Sequence, residues 1–109
     1  MSASRSFLGA GIAAAALLTM NAWAAYPERS IRIIVPFAPG GNVDLVARGV
    51  SQRLAEGLGQ QVIIDNRPGS SGLLGTHLVA RSAPDGHTLL AMANTFAVVP
   101  SIMSNPGYD

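Results

Sequence analysis

In 109 residues the chain carries seven arginines, two histidines, six carboxylates and neither lysine nor cysteine, for a formal charge of +1 at pH 7. That balance argues against nucleic acid and anionic membrane surfaces as partners, because both select for a strongly basic face. Without cysteine there are no disulfides, and the lipid-modified cysteine of a bacterial lipoprotein is excluded as well.

The first 24 residues read as a cleavable secretory signal peptide. Arg5 supplies a positive charge, Phe7 to Leu18 form an uncharged run rich in Ala, Leu and Gly, and Ala22-Trp23-Ala24 offers small residues where a signal peptidase reads. The apolar run is far shorter than the roughly 20 residues a membrane-spanning helix needs. There is no arginine pair, which favours the general export route over the twin-arginine one. Cleavage after Ala24 would release a periplasmic chain starting at Ala25. Residues 25–109 hold six arginines and six carboxylates, a formal charge of zero, and are enough for one small core.

From Ala25 onward, short apolar runs alternate with amphipathic stretches, the pattern of βαβ units in a parallel sheet with flanking helices. Ile31 to Val35 is the first strand, and its near-continuous Ile and Val content suits cover on both faces. A loop from Pro36 to Asn42 follows. The spacing of Val43, Ala47, Val50, Leu54 and Leu58 predicts a helix over 43–58 with these residues facing the sheet. Asn42 is a candidate N-cap, Asp44 lies in the first turn, where the helix dipole favours an acid, and Gly57 and Gly59 offer a stop. The second strand spans Gln61 to Asp65, and a turn-rich loop over 66–72 leads into a shorter helix from about Leu73 to Ser82. Pro84-Asp85-Gly86 marks a tight turn, Thr88 to Ala93 is the third strand, and Asn94-Thr95 opens a helical stretch through about Met103.

Each strand therefore ends in a loop rich in Gly, Ser, Asn or Thr that leads into a helix start. In an open parallel sheet these loops share the edge outside the carboxyl ends of the strands, where ligands bind. Helix N-termini bring unpaired N–H groups and a positive dipole end to the same edge. The expectation is an anion site made largely of backbone amides, with Gly40, Gly41 and Gly72 allowing close approach; the same glycines also serve simply as turn residues.

Enzyme motifs fail on spacing. Gly69, Gly72 and Gly75 follow G-x-x-G-x-x-G, which is not a dinucleotide fingerprint, and a P-loop requires the lysine this chain lacks. Around Ser71 a nucleophile elbow needs glycine where Leu73 stands. No catalytic residue, metal site or cofactor is expected. His77 reads as a helix-surface residue and His87 as a turn residue, without carboxylates spaced for a metal. Asp44 reads as a dipole partner rather than a general base. Arg67 is open between a ligand carboxylate and Asp65 or the protein surface. Met92 and Phe96 are expected to pack locally.

Taken in order, Tyr26-Pro-Glu-Arg-Ser-Ile-Arg-Ile-Ile-Val-Pro-Phe-Ala-Pro-Gly-Gly41 with Asp44 and Ala47-Arg48, then Leu58-Gly-Gln60, Asn66-Arg-Pro-Gly69, Gly72-Leu-Leu-Gly75, Ala83-Pro-Asp-Gly86 and Tyr108-Asp109 resemble the successive blocks of the Bug-type receptors. These are periplasmic solute-binding proteins of tripartite tricarboxylate transporters. The resemblance implies a type II periplasmic-binding-protein fold, with residues 25–109 supplying the N-terminal βαβαβ part of lobe one and the second lobe absent. It implies capture of a small carboxylate and its delivery to membrane transporter subunits, by a receptor that is monomeric when complete. The ligand contacts it implies are Pro39, Gly40, Gly41, Ser70, Ser71, Gly72, Asn94 and Thr95. Two other functions compete: a sensor presenting its ligand to a signalling protein, and a small secreted hydrolase, for which the sequence supplies no nucleophile–base pair or metal cluster. A non-functional truncated receptor is a further alternative.

Overall fold

A computed structural model describes residues 25–108; the expected signal peptide, its cleavage point and Asp109 lie outside the described residues. The elements follow in the order β1 (Ile31–Val35), α1 (Asn42–Leu58), β2 (Val62–Asn66), a 3-10 turn (Ser70–Gly72), α2 (Leu73–Ala80), β3 (Thr88–Leu90) and α3 (Thr95–Ile102). The three strands form one parallel sheet in the order β2-β1-β3.

β1 is the middle strand, pairing Ile31 with Val62 through Val35 with Asn66 on one side, and Arg32 with Thr88 through Ile34 with Leu90 on the other. Its apolar run is buried as expected: Ile31, Ile33, Ile34 and Val35 are all at most 5% exposed, and Arg32 alone reaches solvent. Strand alternation sends Ile33 and Val35 to one face, where they meet Ala47, Val43 and Leu54 of α1, and sends Ile34 to the opposite face. α2 lies against β1 and β3. Burying each such Ile or Val contributes about 1.5–3 kcal/mol, so the core is centred on this one strand.

Boundaries differ from the sequence reading in three places. β2 is shifted by one residue and runs on through Asn66, because Asn66 pairs with Val35 and its side chain is used at the sheet edge. β3 stops at Leu90, since the ladder ends where the Ala91 N–H reaches the Ile34 carbonyl and the chain turns away. α1 begins at Asn42 with Gly41 in the cap position and no side-chain cap, so Asn42 is not the N-cap; Asp44, in the first turn, reaches back to the Gly40 N–H instead. The other end of α1 stops as expected, at Gly59 in the left-handed region with φ 66°.

Two residues of the expected helix face do not reach the sheet: Val50 is 48% exposed and Leu58 37%. α1 lies over β1 and β2, and Val50 overhangs the β3 side. There, with Val43, Val46, Leu89 and Met92, it lines an open groove of about 440 Å³.

α3 contains Pro100, which has no N–H to offer the Phe96 carbonyl one turn earlier. That carbonyl accepts a hydrogen bond from the Tyr108 hydroxyl at 2.8 Å, and the Tyr108 ring stacks on Phe96 with centroids 4.5 Å apart. The last described residues are thus folded back onto α3. His77, expected on the helix surface, is half-buried beneath them, with Nε2 2.7 Å from the Pro106 carbonyl oxygen.

His87 lies in the turn before β3, yet it is buried rather than exposed. Its backbone N–H donates to Asp85 and its ring meets Tyr26 edge-on at 5.0 Å. Arg29 pairs with Asp85 and the Tyr26 hydroxyl donates to the Gly86 carbonyl, so this turn anchors the segment leading into β1.

Candidate functional site

Because all three strands are parallel, the loops after β1, β2 and β3 emerge on one edge of the sheet, with the β1 loop between the other two. The contacts around Gly72 show how close they come. A Cβ placed on Gly72 would lie 2.7 Å from Met92 Cε in the loop after β3 and 3.4 Å from Phe37 Cζ in the loop after β1. Gly72, at the end of the β2 loop, is therefore the point where the three meet. Gly75, one turn along, lets α2 close on the β1 loop: a Cβ there would lie 2.7 Å from Pro36 Cβ.

The structure thus brings Gly72 against the β1 and β3 loops, and it sets Pro39, Gly40 and Gly41 at the start of α1, Ser70 and Ser71 just before α2, and Asn94 and Thr95 at the start of α3. Apart from Gly72, these expected site residues are exposed. Their chemistry differs in detail from a simple ring of amides. Pro39 has no N–H. The Gly40 N–H donates to Asp44 Oδ2 at 3.0 Å and the Gly72 N–H to the Gly69 carbonyl at 3.0 Å. Gly40 and Gly72 therefore provide room and turn geometry, and the first-turn amides of α1, which have no intrahelical acceptor, are among those open to a ligand.

Ser70 and Ser71 do not cap α2 through their side chains. Instead both occupy the left-handed region, φ 50° and 54°, between Gly69 and Gly72, which also have positive φ. For a residue with a Cβ each such conformation costs about 1–3 kcal/mol, a strain found at ligand clamps and active sites. Nothing in the composition of the loop signalled it beyond the flanking glycines.

Charge near the edge is internally neutralised. Arg67 pairs with Asp65, Nε to Oδ1 at 2.9 Å. Asp44 is only 2% exposed and pairs with Arg48, Nε to Oδ2 at 2.9 Å. The Arg48 guanidinium, then the Gly40 N–H and the Asn66 amide, hold its carboxyl far below the usual carboxylate range, although burial opposes them. Asp44 is thus a fixed anion, unsuited to taking up a proton. Among the described residues no cluster of three or more His, Cys, Asp or Glu is placed to hold a metal, and no helix is long and apolar enough to cross a membrane. The groove beside β3 is lined by apolar side chains, and among its lining residues Asn42 alone is polar, so it does not itself offer an anion site.

A parallel α/β sheet with flanking helices is an architecture this chain shares with periplasmic binding proteins. The structure of periplasmic binding protein BugD matches 77% of this chain with a TM-score of 0.73 and 44% identity, over 28% of its own length. MatC from Rhodopseudomonas palustris with bound malate matches 60% of the chain at 46% identity and TM-score 0.58, over 22% of its length; R. palustris Rpa4515 with adipate matches 60% at 42% identity and TM-score 0.59, also over 22%. Protein BugT of Bordetella pertussis is 41% identical over 103 residues, covering 93% of this chain and 32% of BugT. The tripartite tricarboxylate transporter family receptor matches residues 46–109, and the chain belongs to that family. It spans between about a fifth and a third of the length of the curated relatives it matches.

Proposed function

We propose that residues 25–109 form one wall of a periplasmic receptor site that captures a small carboxylate and delivers it to the membrane subunits of a tripartite tricarboxylate transporter. The observation that carries this reading is the meeting of three strand-end loops at Gly72, with helix starts beside them and a strained Ser70-Ser71 pair held in place. Such an edge suits an anion: first-turn amides donate, the dipole of the 17-residue α1 adds positive potential, and the exposed serine hydroxyls are free to turn. Family membership and the malate- and adipate-bound relatives support the ligand class. With Arg48 and Arg67 already paired, the carboxylate is recognised by neutral donors, and the receptor works as a monomer and not as an enzyme.

Residues 1–24 direct the chain through the general export route and are removed after Ala24, so N-terminal sequencing of periplasmic protein should begin at Ala25. Calorimetric titration of a full-length receptor of this family carrying residues 25–109 in place of its own N-terminal segment, with malate, adipate and citrate, tests the binding. Saturable heat with at least one of them is expected. If none binds while the grafted receptor is folded by circular dichroism, the reading is wrong.

A further inference from the structure

Asp44 does more than neutralise a helix start. Its Oδ2 accepts hydrogen bonds from the Gly40 N–H at 3.0 Å and from Arg48 Nε at 2.9 Å, while its Oδ1 accepts from Asn66 Nδ2 at 2.9 Å. Asn66 closes the figure: its Oδ1 accepts from Arg48 Nη2 at 3.2 Å, and its Nδ2 also donates to the Phe37 carbonyl at 3.2 Å. Three side chains from two elements therefore form a ring, and the ring grips the β1 loop at two backbone points, Phe37 and Gly40. Asn66 is the last residue of β2, from which the loop carrying Ser70 and Ser71 departs. The two loops are thus fastened to each other through this ring rather than merely lying side by side. A carboxylate this buried is tolerated because its partners satisfy it.

Resting on the carboxylate reading above, we infer that Asp44 and Asn66 are positioning residues for the ligand site: their ring sets the offset between the Pro39–Gly41 loop and the Ser70–Gly72 loop, and Asp44, by taking the Gly40 N–H, leaves the ligand the amides that follow from Gly41 into α1. The offset decides which separation of acceptor groups a ligand must have. Asp44 and Asn66 therefore govern discrimination among dicarboxylates of different length without touching them.

The test takes as parent a full-length receptor of this family carrying residues 25–109 and compares it with its Asp44→Asn and Asn66→Ala variants, each titrated with succinate and glutarate, which differ by one methylene, with thermal unfolding recorded for every protein. Arg81→Ala, an exposed substitution at the far end of α2, is the control. Both ring variants should bind the preferred acid about tenfold or more weakly, the size expected when donors to a charged group are misplaced, and the succinate-to-glutarate ratio should change. A purely structural role lowers the folded fraction and reduces both affinities by one factor, leaving the ratio untouched. If Asp44→Asn does not fold, Asn66→Ala decides, because it removes one corner and keeps the Asp44–Arg48 pair. A parent that binds and variants that keep its ratio overturn this inference alone. A parent that binds neither acid overturns the carboxylate reading, and this inference with it.

Discussion

Gly72 and Gly75 sit within one turn of each other and resist substitution for different reasons. At Gly75 the obstacle is fixed structure: Pro36 Cα would lie 3.1 Å and the Arg67 carbonyl oxygen 3.2 Å from a new Cβ. Gly75→Ala should therefore push α2 off the β1 loop and cost about 1–3 kcal/mol, the usual size of an overpacking change, visible as a lower midpoint in urea. At Gly72 the nearest obstacle is the flexible end of Met92, but φ is 91°, a region side chains avoid. Gly72→Val should leave a folded chain with weakened carboxylate binding, because its bulk lies where three loops meet; calorimetry that finds parent affinity would place the site elsewhere. The glycines and their neighbourhood were legible in the sequence, since turn residues after apolar runs announce strand-end loops. The partners of single side chains were not. Asn66 looked like the first residue of a loop, and its role emerges only when β2 is set beside β1. The one available signal for Tyr108 was Pro100, four residues after Phe96, which leaves a carbonyl in need of a donor.

Among the elements, α1 carries the acid that makes the chain sensitive to pH. The carboxyl of Asp44 is held below its ordinary value by Arg48, Gly40 and Asn66, and that of Asp85 is held down by the His87 N–H first, then by Arg29. A depressed native value means these groups stabilise the fold above the ordinary carboxylate pKa of about 3.9 and that the contribution is lost as acid titrates them. Stability should therefore fall below about pH 4, and Asp44→Asn should flatten that fall while lowering stability at neutral pH; thermal unfolding as a function of pH measures both. All three strands and all three helices were predictable, because apolar runs and helical periodicity are local. Their limits were not. The periodicity that assigned Val50 and Leu58 to the core marks the apolar side of α1 but says nothing about how wide the sheet beneath it is, and β3 ends early for want of a longer ladder.

At the scale of the molecule, the sheet order β2-β1-β3 makes the first strand in the chain the last to be complete. β1 has hydrogen-bonding partners on both sides, whereas β2 and β3 each have one, and the pairing of Arg32 with Thr88 closes a far longer loop than that of Ile31 with Val62. Loop closure costs more as the intervening chain lengthens. The β1–α1–β2 unit, with α1 packed on both strands, is thus the segment able to form first, and β3, joined through three residue pairs, is added to an existing template. Motions in the native protein should run the same course backwards. Amide hydrogens of β1 that point towards β2 should exchange with solvent only on global unfolding, while those of Leu89 and Ala91 should exchange sooner, through a partial opening that leaves β1, α1 and β2 intact. Since Met92 lies two residues beyond the end of β3 and rests on Gly72, each such opening would also loosen one side of the ligand edge, and the opening measured at β3 would be the opening of that edge.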